Sequence, residues 1–395
     1  MTTYPLLHWD EAGENRSACW RSEAGVAPAR RVVVVDDTLT ADVAYRLANE
    51  GTAMLWRGDF QNARQLLNAM ARRAEQKSAK ARRPAKVAIQ NELAAHQAMS
   101  DAFNRHRLAQ AQRARLLGML LIPLDADYAI PLRRAPDLRL ACAEAYGAAD
   151  VPSVASLREL LGTVGAHEWR KKGVAVAALG GRVHPHYGVF APVRGEYVGL
   201  VAQAPLPAAV QINSLAFDVG TGTGVLAAIL AKRGIARVVA TDQDARALAC
   251  ARENVSRLGF AAQVDVVAAD LFPRISPTGG APLIVCNPPW IPARPSAPIE
   301  YAIYDPDSRM LRGFIAGLAA HLAPDGEAWL VLSDIAEHLG LRTRDELLAI
   351  FAAGGVKVIA RDDVRPQHLR VADTSDPLHA ARAAEVTSLW RLSLV

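Results

Sequence analysis

The chain has few cysteines and no obvious metal-binding pattern. Cys19, Cys142, Cys250 and Cys286 are scattered over 395 residues and form no CxxC pair. The His184-Pro185-His186 segment has no third candidate ligand nearby. The length of 395 residues excludes a disulfide-stapled miniprotein, and this distribution of cysteines predicts a reduced protein without a metal site.

Long apolar runs are also lacking. No stretch reaches the roughly 18 apolar residues that a membrane-spanning helix needs. The first fourteen residues carry Asp10, Glu11 and Glu14 instead of a basic start followed by an apolar run. We therefore expect neither secretion nor membrane insertion, and we expect a cytoplasmic protein.

The composition is that of a globular protein, with 51% hydrophobic and 22% charged residues. The length predicts two domains on the usual prior of about 150 residues per domain. The net charge of +5 is unevenly distributed: residues 61–140 hold 15 Lys/Arg and 6 Asp/Glu, a net of +9, which leaves −4 for the rest. A basic surface is therefore predicted in the N-terminal half, with a dense stretch from Ala71 to Lys86.

The C-terminal part alternates short β-branched runs with helical stretches, which predicts an α/β fold with a largely parallel sheet. The last two strands lack a long intervening helix, so they are expected to pair antiparallel at the sheet edge. The seven predicted strands are Leu215–Val219, Val238–Thr241, Val264–Ala268, Leu283–Cys286, Ala328–Leu332, Val356–Ala360 and Val386–Leu394.

The N-terminal part is less distinctive. We predict a strand over 32–35, a helix over 40–49 and a helical zone over 61–121. A shift of 182 residues places Asp36 on Asp218, a faint repeat that leaves two alternatives: a degenerate nucleotide-binding-like domain, or a helical domain with one or two strands.

Three parts are therefore predicted. Residues 1–150 form a basic, mixed and largely helical substrate-recognition domain, 151–207 form a connector, and 208–395 form the catalytic domain. In the connector, Tyr187, Phe190 and Arg194 either cover a ligand as a lid or simply pack on the catalytic domain.

A glycine-rich loop follows the first strand of the catalytic domain. The segment from Asp218 to Val225 reads DVGTGTGV, with Gly220, Gly222 and Gly224 around Thr221. Glycine lets the chain turn sharply and lets a ligand approach the backbone. The spacing is GxGxG and not the GxGxxG of dinucleotide-binding proteins, which makes an NAD enzyme the weaker interpretation.

Two further acidic residues follow the next two strands. Asp242 ends the second strand, where a carboxylate can accept hydrogen bonds from two ribose hydroxyls. Asp270 follows the third strand, where it can accept from an adenine amino group while Leu271 covers the ring. Together with the glycine loop, these residues favour an adenosine-containing ligand without phosphates.

The fourth strand ends in Asn287-Pro288-Pro289-Trp290. Two prolines remove two backbone donors, so that the carbonyls there can face a cavity. The Asn287 oxygen and the Pro288 carbonyl can each accept one N–H of a planar amine, and Trp290 can stack on it. This arrangement would aim the nitrogen lone pair at an activated methyl group.

These motifs together resemble class I S-adenosylmethionine-dependent methyltransferases, in the subgroup with an Asn-Pro-Pro-aromatic motif that methylates planar nitrogen. The resemblance covers residues 215–335 and implies a Rossmann-like seven-stranded catalytic domain with S-adenosylmethionine as cofactor. It also implies that the glycine loop holds the methionine end of the cofactor, and that Asp242, Asp270 and residues 287–290 contact ribose, adenine and acceptor.

The resemblance leaves the substrate open. Ribosomal-RNA guanine methyltransferases and release-factor glutamine methyltransferases both share the motif, usually with Phe and Tyr respectively where this chain has Trp290. The basic stretch favours a macromolecular substrate, RNA before protein. A small-molecule methyltransferase and an inactive cofactor-binding scaffold are the remaining alternatives.

Overall fold

The computed structural model describes residues 4–81, 92–148, 150–274, 280–295, 298–366 and 376–395. The chain divides into two compact units. The N-terminal unit comprises residues 1–88 and 104–168, and the C-terminal unit comprises residues 89–103 and 169–395. The predicted connector is thus divided, since 151–168 fall in the first unit and 169–207 in the second. The functional division into recognition domain, connector and catalytic domain stays a prediction.

The N-terminal unit contains a six-stranded mixed sheet. Its strands are β1 (Leu6–Glu11), β2 (Glu14–Arg21), β3 (Arg31–Val35), β4 (Thr52–Trp56), β5 (Leu120–Leu124) and β6 (Ser153–Ser156). They lie in the order β1-β2-β6-β5-β4-β3. The helices are α1 (Ala41–Asn49), α2 (Phe60–Ala81), α3 (Glu92–Leu117, shared with the C-terminal unit), α4 (Arg139–Tyr146) and α5 (Leu157–Lys172, likewise shared).

The predicted strand over 32–35 and helix over 40–49 are confirmed as β3 and α1. The alternative of a helical domain with one or two strands is wrong, because this sheet has six strands, and the helical zone ends earlier than predicted. Helix α3 stops at Leu117, and Leu120 and Leu121 lie in the fully buried strand β5. Of the basic stretch, Arg82, Arg83 and Lys86 lie outside the described residues.

Strands β3, β4 and β5 are parallel neighbours, connected by α1 and then by α2 and α3. This is a βαβαβ arrangement, in which each strand lies beside the next one in sequence. It is compatible with the predicted degenerate nucleotide-binding-like domain, which stays a prediction.

The C-terminal unit contains a seven-stranded sheet and a short hairpin. The hairpin is β7 (Val174–Val176) and β8 (Gly181–Val183), and the sheet strands are β9 (Leu215–Val219), β10 (Arg237–Asp242), β11 (Val264–Ala268), β12 (Ala281–Cys286), β13 (Leu322–Ser333), β14 (Val356–Val364) and β15 (Thr387–Leu394). The order is β11-β10-β9-β12-β13-β15-β14, and β15 pairs antiparallel with both β13 and β14, whereas the other neighbouring strands are parallel. The seven predicted strands, the antiparallel edge pair and the Rossmann-like fold class are confirmed.

Helices connect these strands on both faces of the sheet. They are α6 (Glu196–Gln203), α7 (Val225–Lys232), α8 (Ala245–Arg257), α9 (Arg309–His321), α10 (Ile335–His338), α11 (Arg344–Ala353) and α12 (His379–Ala384), with short 3₁₀ helices at Ala208–Gln211, Pro298–Ala302 and Pro306–Ser308. No helix among the described residues is long and apolar enough to cross a membrane.

The central strands are buried on both faces, as parallel strands covered by helices should be. Along β12 all six residues are buried, and successive side chains alternate between two cores. Leu283 and Val285 join the core that contains α6 and α7, whereas Ile284 and Cys286 join the core that contains α9 and α11. Both cores contain side chains of β9, β10 and β12, one on each face of the sheet. This packing holds the carboxyl ends of the three strands at one edge of the sheet.

A third, smaller core of the C-terminal unit contains the first part of helix α3. Phe103 packs there with Ile335, Leu339, Leu378 and Ala381. The Phe103 ring also meets the Tyr304 ring edge-on, with 6.5 Å between ring centroids. Residues 92–103 therefore belong structurally to the C-terminal unit, although the sequence places them within the basic helical zone.

Candidate active site

The glycine loop connects the end of β9 to the start of helix α7. The backbone N–H groups of Gly220 and Thr221 both donate to the Thr241 carbonyl, at 2.9 and 2.8 Å. Gly220, Gly222 and Gly224 all have φ between +55° and +78°, a region that side chains with a Cβ disfavour. A Cβ on Gly222 would meet no atom within 4 Å, so the loop leaves open space there.

Asp218 orders this loop from beneath. Its side chain is buried, and one oxygen, Oδ2, accepts from Thr221 Oγ1 at 2.6 Å and from the Ala227 N–H at 3.0 Å. Burial raises the pKa of Asp218 to about 6. These contacts fasten both ends of the glycine loop, and a direct contact of Asp218 with a cofactor stays a prediction.

Asp242 faces the loop from the neighbouring strand. Its Oδ2 accepts from the Gly222 N–H at 3.0 Å and its Oδ1 accepts from the Asp244 N–H at 3.0 Å. Burial raises the pKa of this carboxyl group above its ordinary value. A carboxylate has about four acceptor sites, so Asp242 keeps acceptor capacity for ribose hydroxyls beside these backbone bonds.

Asp270 and Leu271 lie after β11 at the same edge. Leu271 has φ +70° and its carbonyl accepts from Thr241 Oγ1, which ties this turn to the end of β10. Asp270 is more than half exposed and forms an ion pair with Arg309 at 2.7 Å. An adenine contact by Asp270 stays a prediction, and it would compete with Arg309 for the carboxylate.

The Asn-Pro-Pro-Trp segment begins next to the glycine loop. Cys286 of β12 pairs with Val219 of β9, so Asn287 and Gly220 follow matched positions on adjacent strands. Pro288 is buried, whereas Asn287, Pro289 and Trp290 are partly exposed. The segment therefore presents polar and aromatic groups at the edge that also carries Asp242.

Trp290 and Asn287 contact each other directly. The indole Nε1–H donates to Asn287 Oδ1 at 2.9 Å. Trp290 also packs against all three hydrophobic cores of the C-terminal unit described above. The ring is thus held in one place, and its polar edge is directed at the asparagine.

Two residues that the sequence motifs did not indicate complete this edge. Asp305 accepts from the N–H groups of Met310 and Leu311 at 2.9 and 3.1 Å, and its own N–H donates to the Ile291 carbonyl at 2.8 Å. It therefore fixes the start of α9 against the segment that follows Trp290. Met310 borders the glycine loop, because a Cβ on Gly220 would lie 2.4 Å from its Cε. No local pattern marks these two residues, since their roles arise from the return of α9 to the sheet edge.

The predicted lid residues contact other parts of the C-terminal unit. The Arg246 guanidinium lies 5.6 Å from the centre of the Tyr187 ring, and Phe190 is 38% exposed. Arg194 Nη1 donates to Glu385 Oε1 at 2.9 Å, and the same oxygen accepts from Ser333 Oγ at 2.7 Å. The Arg194 contact fastens the segment to the start of β15, and a role over the ligand stays a prediction.

The two histidines of the His184-Pro185-His186 segment have partners within the protein. His184 Nδ1 lies 2.6 Å from the Arg170 carbonyl, and His186 Nε2 lies 2.7 Å from Glu253. His321 stacks on Phe272, with ring centroids 4.3 Å apart. Within the described ranges, no group of three or more His, Cys, Asp or Glu side chains is placed to hold a metal ion.

Part of the chain is similar to known methyltransferases. Residues 182–362 match the family model described as Methyltransferase small domain. Similar curated proteins include a release factor glutamine methyltransferase of Cereibacter sphaeroides, 34% identical over 29% of this chain and 44% of its own length. They also include a tRNA1(Val) (adenine(37)-N6)-methyltransferase of Bacteroides fragilis, 29% identical over 37% of this chain and 66% of its own length.

The chain thus spans less than two thirds of the length of these two relatives. A solved structure of a ribosomal protein L11 methylase from Lactobacillus delbrueckii subsp. bulgaricus overlaps 52% of this chain and 81% of its own, at 19% identity and a TM-score of 0.34. The family model and the curated relatives confirm the predicted resemblance to class I methyltransferases.

Proposed function

We propose that this chain, whose residues 182–362 match the methyltransferase small domain, transfers a methyl group from S-adenosylmethionine to a planar nitrogen. One observation carries the proposal: adjacent strand ends bring the glycine loop, Asp242 and the Asn287-to-Trp290 segment to a single edge of the sheet. In open α/β sheets, ligands bind at the carboxyl ends of the strands.

The residues present fit the cofactor. The open space at Gly222 leaves the loop backbone accessible, and Asp242 offers two oxygens with acceptor capacity for the ribose hydroxyls. S-adenosylmethionine supplies a methyl group on a sulfonium sulfur, which is already activated for transfer to a nucleophile. The protein therefore has to align the acceptor nitrogen, and it needs no strong general base.

Asn287 and Pro288 would perform this alignment. An amide or aromatic amine is a poor nucleophile because its lone pair is delocalised. An N–H that donates to Asn287 Oδ1 and another that donates to the Pro288 carbonyl would hold the NH₂ group out of conjugation and direct its lone pair at the methyl group. The same two oxygens stabilise the positive charge that develops on nitrogen during transfer.

RNA is the substrate class that we propose. The region 61–140 carries a net charge of +9, and the described part of α3 in the N-terminal unit contributes Arg105, Arg107, Arg113 and Arg115. Such a surface neutralises phosphates and produces salt-dependent binding. The Bacteroides fragilis relative is named for methylation of a tRNA adenine at N6, which is an exocyclic, planar amino nitrogen.

A glutamine side chain of a protein is the second candidate. The Cereibacter sphaeroides relative is named a release factor glutamine methyltransferase, and an amide nitrogen places the same geometric demand on Asn287 and Pro288 as an aromatic amine does. The Asn287-to-Trp290 segment alone does not distinguish the two, so the proposal of RNA depends on the basic region.

The test is transfer of isotope-labelled methyl from S-adenosylmethionine into an extract of methyl-deficient cells, with the products divided by ribonuclease and by protease. We expect label that ribonuclease removes and that Asn287→Ala abolishes. Label that protease removes would establish the glutamine alternative, and label in small molecules would overturn a macromolecular substrate. Cofactor binding without any label would indicate an inactive scaffold.

A further inference from the structure

Trp290 has a contact that stacking on a substrate does not explain. Its Nε1–H donates to Asn287 Oδ1 at 2.9 Å, three residues back along the same segment. The ring packs against the cores on both faces of the sheet and against the core that contains Phe103 of α3. A side chain that three cores hold cannot turn its polar edge elsewhere without disturbing their packing.

The chemistry of an amide makes this contact consequential. The Asn287 side chain has an acceptor end, the carbonyl oxygen, and a donor end, the NH₂ group, and the two are nearly equal in size. An indole N–H can only donate, so it binds the oxygen and disfavours the orientation with the NH₂ group in its place. Half a turn about the Cβ–Cγ bond would put two donors face to face.

We propose that Trp290 is a positioning residue, whose indole N–H fixes the Asn287 amide with its oxygen toward the acceptor nitrogen. This inference rests on the proposed function of Asn287. The oxygen has a second lone pair, so it can accept the indole N–H and one substrate N–H together. Without the indole donor, a flipped amide would present N–H to the substrate N–H and repel it.

Tryptophan differs from phenylalanine at this position because its indole N–H can donate this hydrogen bond. Phenylalanine and the sulfur isostere of tryptophan, 3-benzothienylalanine, keep an aromatic face but lack the N–H. The isostere also keeps the size and shape of the ring, so it leaves the three cores filled. A change that it causes reports the lost hydrogen bond and not a lost packing contact.

The first experiment replaces Trp290 with 3-benzothienylalanine in the full chain, with the same replacement at the 48% exposed Trp169 as control. We expect kcat of methyl transfer to methyl-deficient RNA to fall about tenfold, the size of one lost hydrogen bond, with the dissociation constant of S-adenosylmethionine unchanged. An unchanged kcat would overturn the proposal, as would an equal loss with the Trp169 control.

The second experiment does not depend on methyl transfer. The indole N–H resonance of Trp290 is followed by NMR in protein labelled with ¹⁵N at its seven tryptophans, and it is assigned by its loss in Trp290→Phe. We expect slow hydrogen exchange in wild type, a downfield shift in Asn287→Asp and fast exchange in Asn287→Ala. A Trp290 resonance that responds to neither substitution would overturn the hydrogen bond, whereas intact responses without methyl transfer would overturn only the proposed function.

Discussion

Gly224 lies directly against Ala251. A Cβ on Gly224, where α7 begins, would stand 3.2 Å from the Ala251 Cα and 3.3 Å from its carbonyl oxygen in α8. Gly222, two residues earlier in the same loop, has a similar left-handed backbone but open space around it. The two glycines therefore serve different purposes, Gly224 in helix packing and Gly222, as we propose, in ligand access.

Alanine substitutions should separate these purposes. Gly222→Ala should cost about 1 to 2 kcal/mol of unfolding free energy through backbone strain, and it should weaken cofactor binding markedly. Gly224→Ala should lower the free energy of unfolding by about 1 to 3 kcal/mol more than Gly222→Ala, because the new Cβ would push α8 away and disturb the packing of its core. Urea unfolding and calorimetric titration with S-adenosylmethionine measure both effects. Equal stability losses in the two variants would contradict the packing argument.

Asp242→Ala should weaken S-adenosylmethionine binding by at least about tenfold, since it removes the proposed ribose acceptor and the bond that holds the Gly222 N–H. Asp244→Ala is the matched control. Asp244 caps α8 by accepting from the Arg246 N–H, so its loss should cost about 1 kcal/mol of stability and leave cofactor affinity unchanged. Similar dissociation constants for both variants would remove Asp242 from the cofactor site.

Asn287→Ala should bind S-adenosylmethionine like wild type and lose methyl transfer by about a hundredfold or more, because the acceptor nitrogen is no longer aligned. Asn213→Ala, at an exposed position of the same unit, is the control and should be fully active. The measurement is single-turnover transfer of labelled methyl alongside equilibrium cofactor binding. Transfer at the wild-type rate by Asn287→Ala would show that the acceptor site is elsewhere.

Asp218 should make stability depend on pH. Its pKa is raised by burial from 3.8 to about 6, so between these values the folded chain keeps a proton that the unfolded chain has lost. The free energy of unfolding should therefore fall as pH rises through this window, by about 3 kcal/mol in total.

Asp218→Asn should remove that fall. Both bonds to Asp218 use the single oxygen Oδ2, so an amide oxygen can keep them. Urea unfolding of wild type and variant between pH 4 and pH 7 makes the comparison, since the other titrating groups are shared. Parallel stability curves would contradict the raised pKa.

Arg194 should stabilise the chain through Glu385, whose side chain is only 1% exposed. Arg194→Ala removes the cation that pairs with this buried carboxylate. Because Arg194 is partly exposed, we expect the free energy of unfolding to fall by only about 2 kcal/mol. Adding Glu385→Gln should restore much of the loss, because glutamine keeps an acceptor for Ser333 without the charge. Additive effects of the two substitutions in thermal unfolding would show that the ion pair contributes nothing.

The seven-stranded sheet was predictable because its strands are short apolar runs separated by loops with distinct chemistry. The family resemblance also followed from consecutive residues, the DVGTGTG loop and the NPPW segment. Prediction failed where local patterns are ambiguous. Strand β4, TAMLW, is five buried residues between two helices, and such a run is indistinguishable by periodicity from a buried helical segment.

Contacts between segments that are distant in sequence could not be predicted from local patterns. Asp305 acts through the backbone of α9, and Met310 reaches Gly220 from 90 residues away. Phe103 joins the core beside Trp290 because α3 extends to it, although its surrounding sequence indicates only a polar helix. In each case the partner is chosen by tertiary packing, which one sequence does not display.

The position of β15 has a consequence for how the chain acquires its structure. β15 comes last in sequence among the seven strands, yet it lies between β13 and β14 and pairs with both. During synthesis β14 emerges before β15, the strand that pairs it with the rest of the sheet, so β14 has no pairing partner in this sheet until β15 has been made. The sheet is completed only when β15 inserts, and this makes the C-terminal unit dependent on a late, long-range folding step.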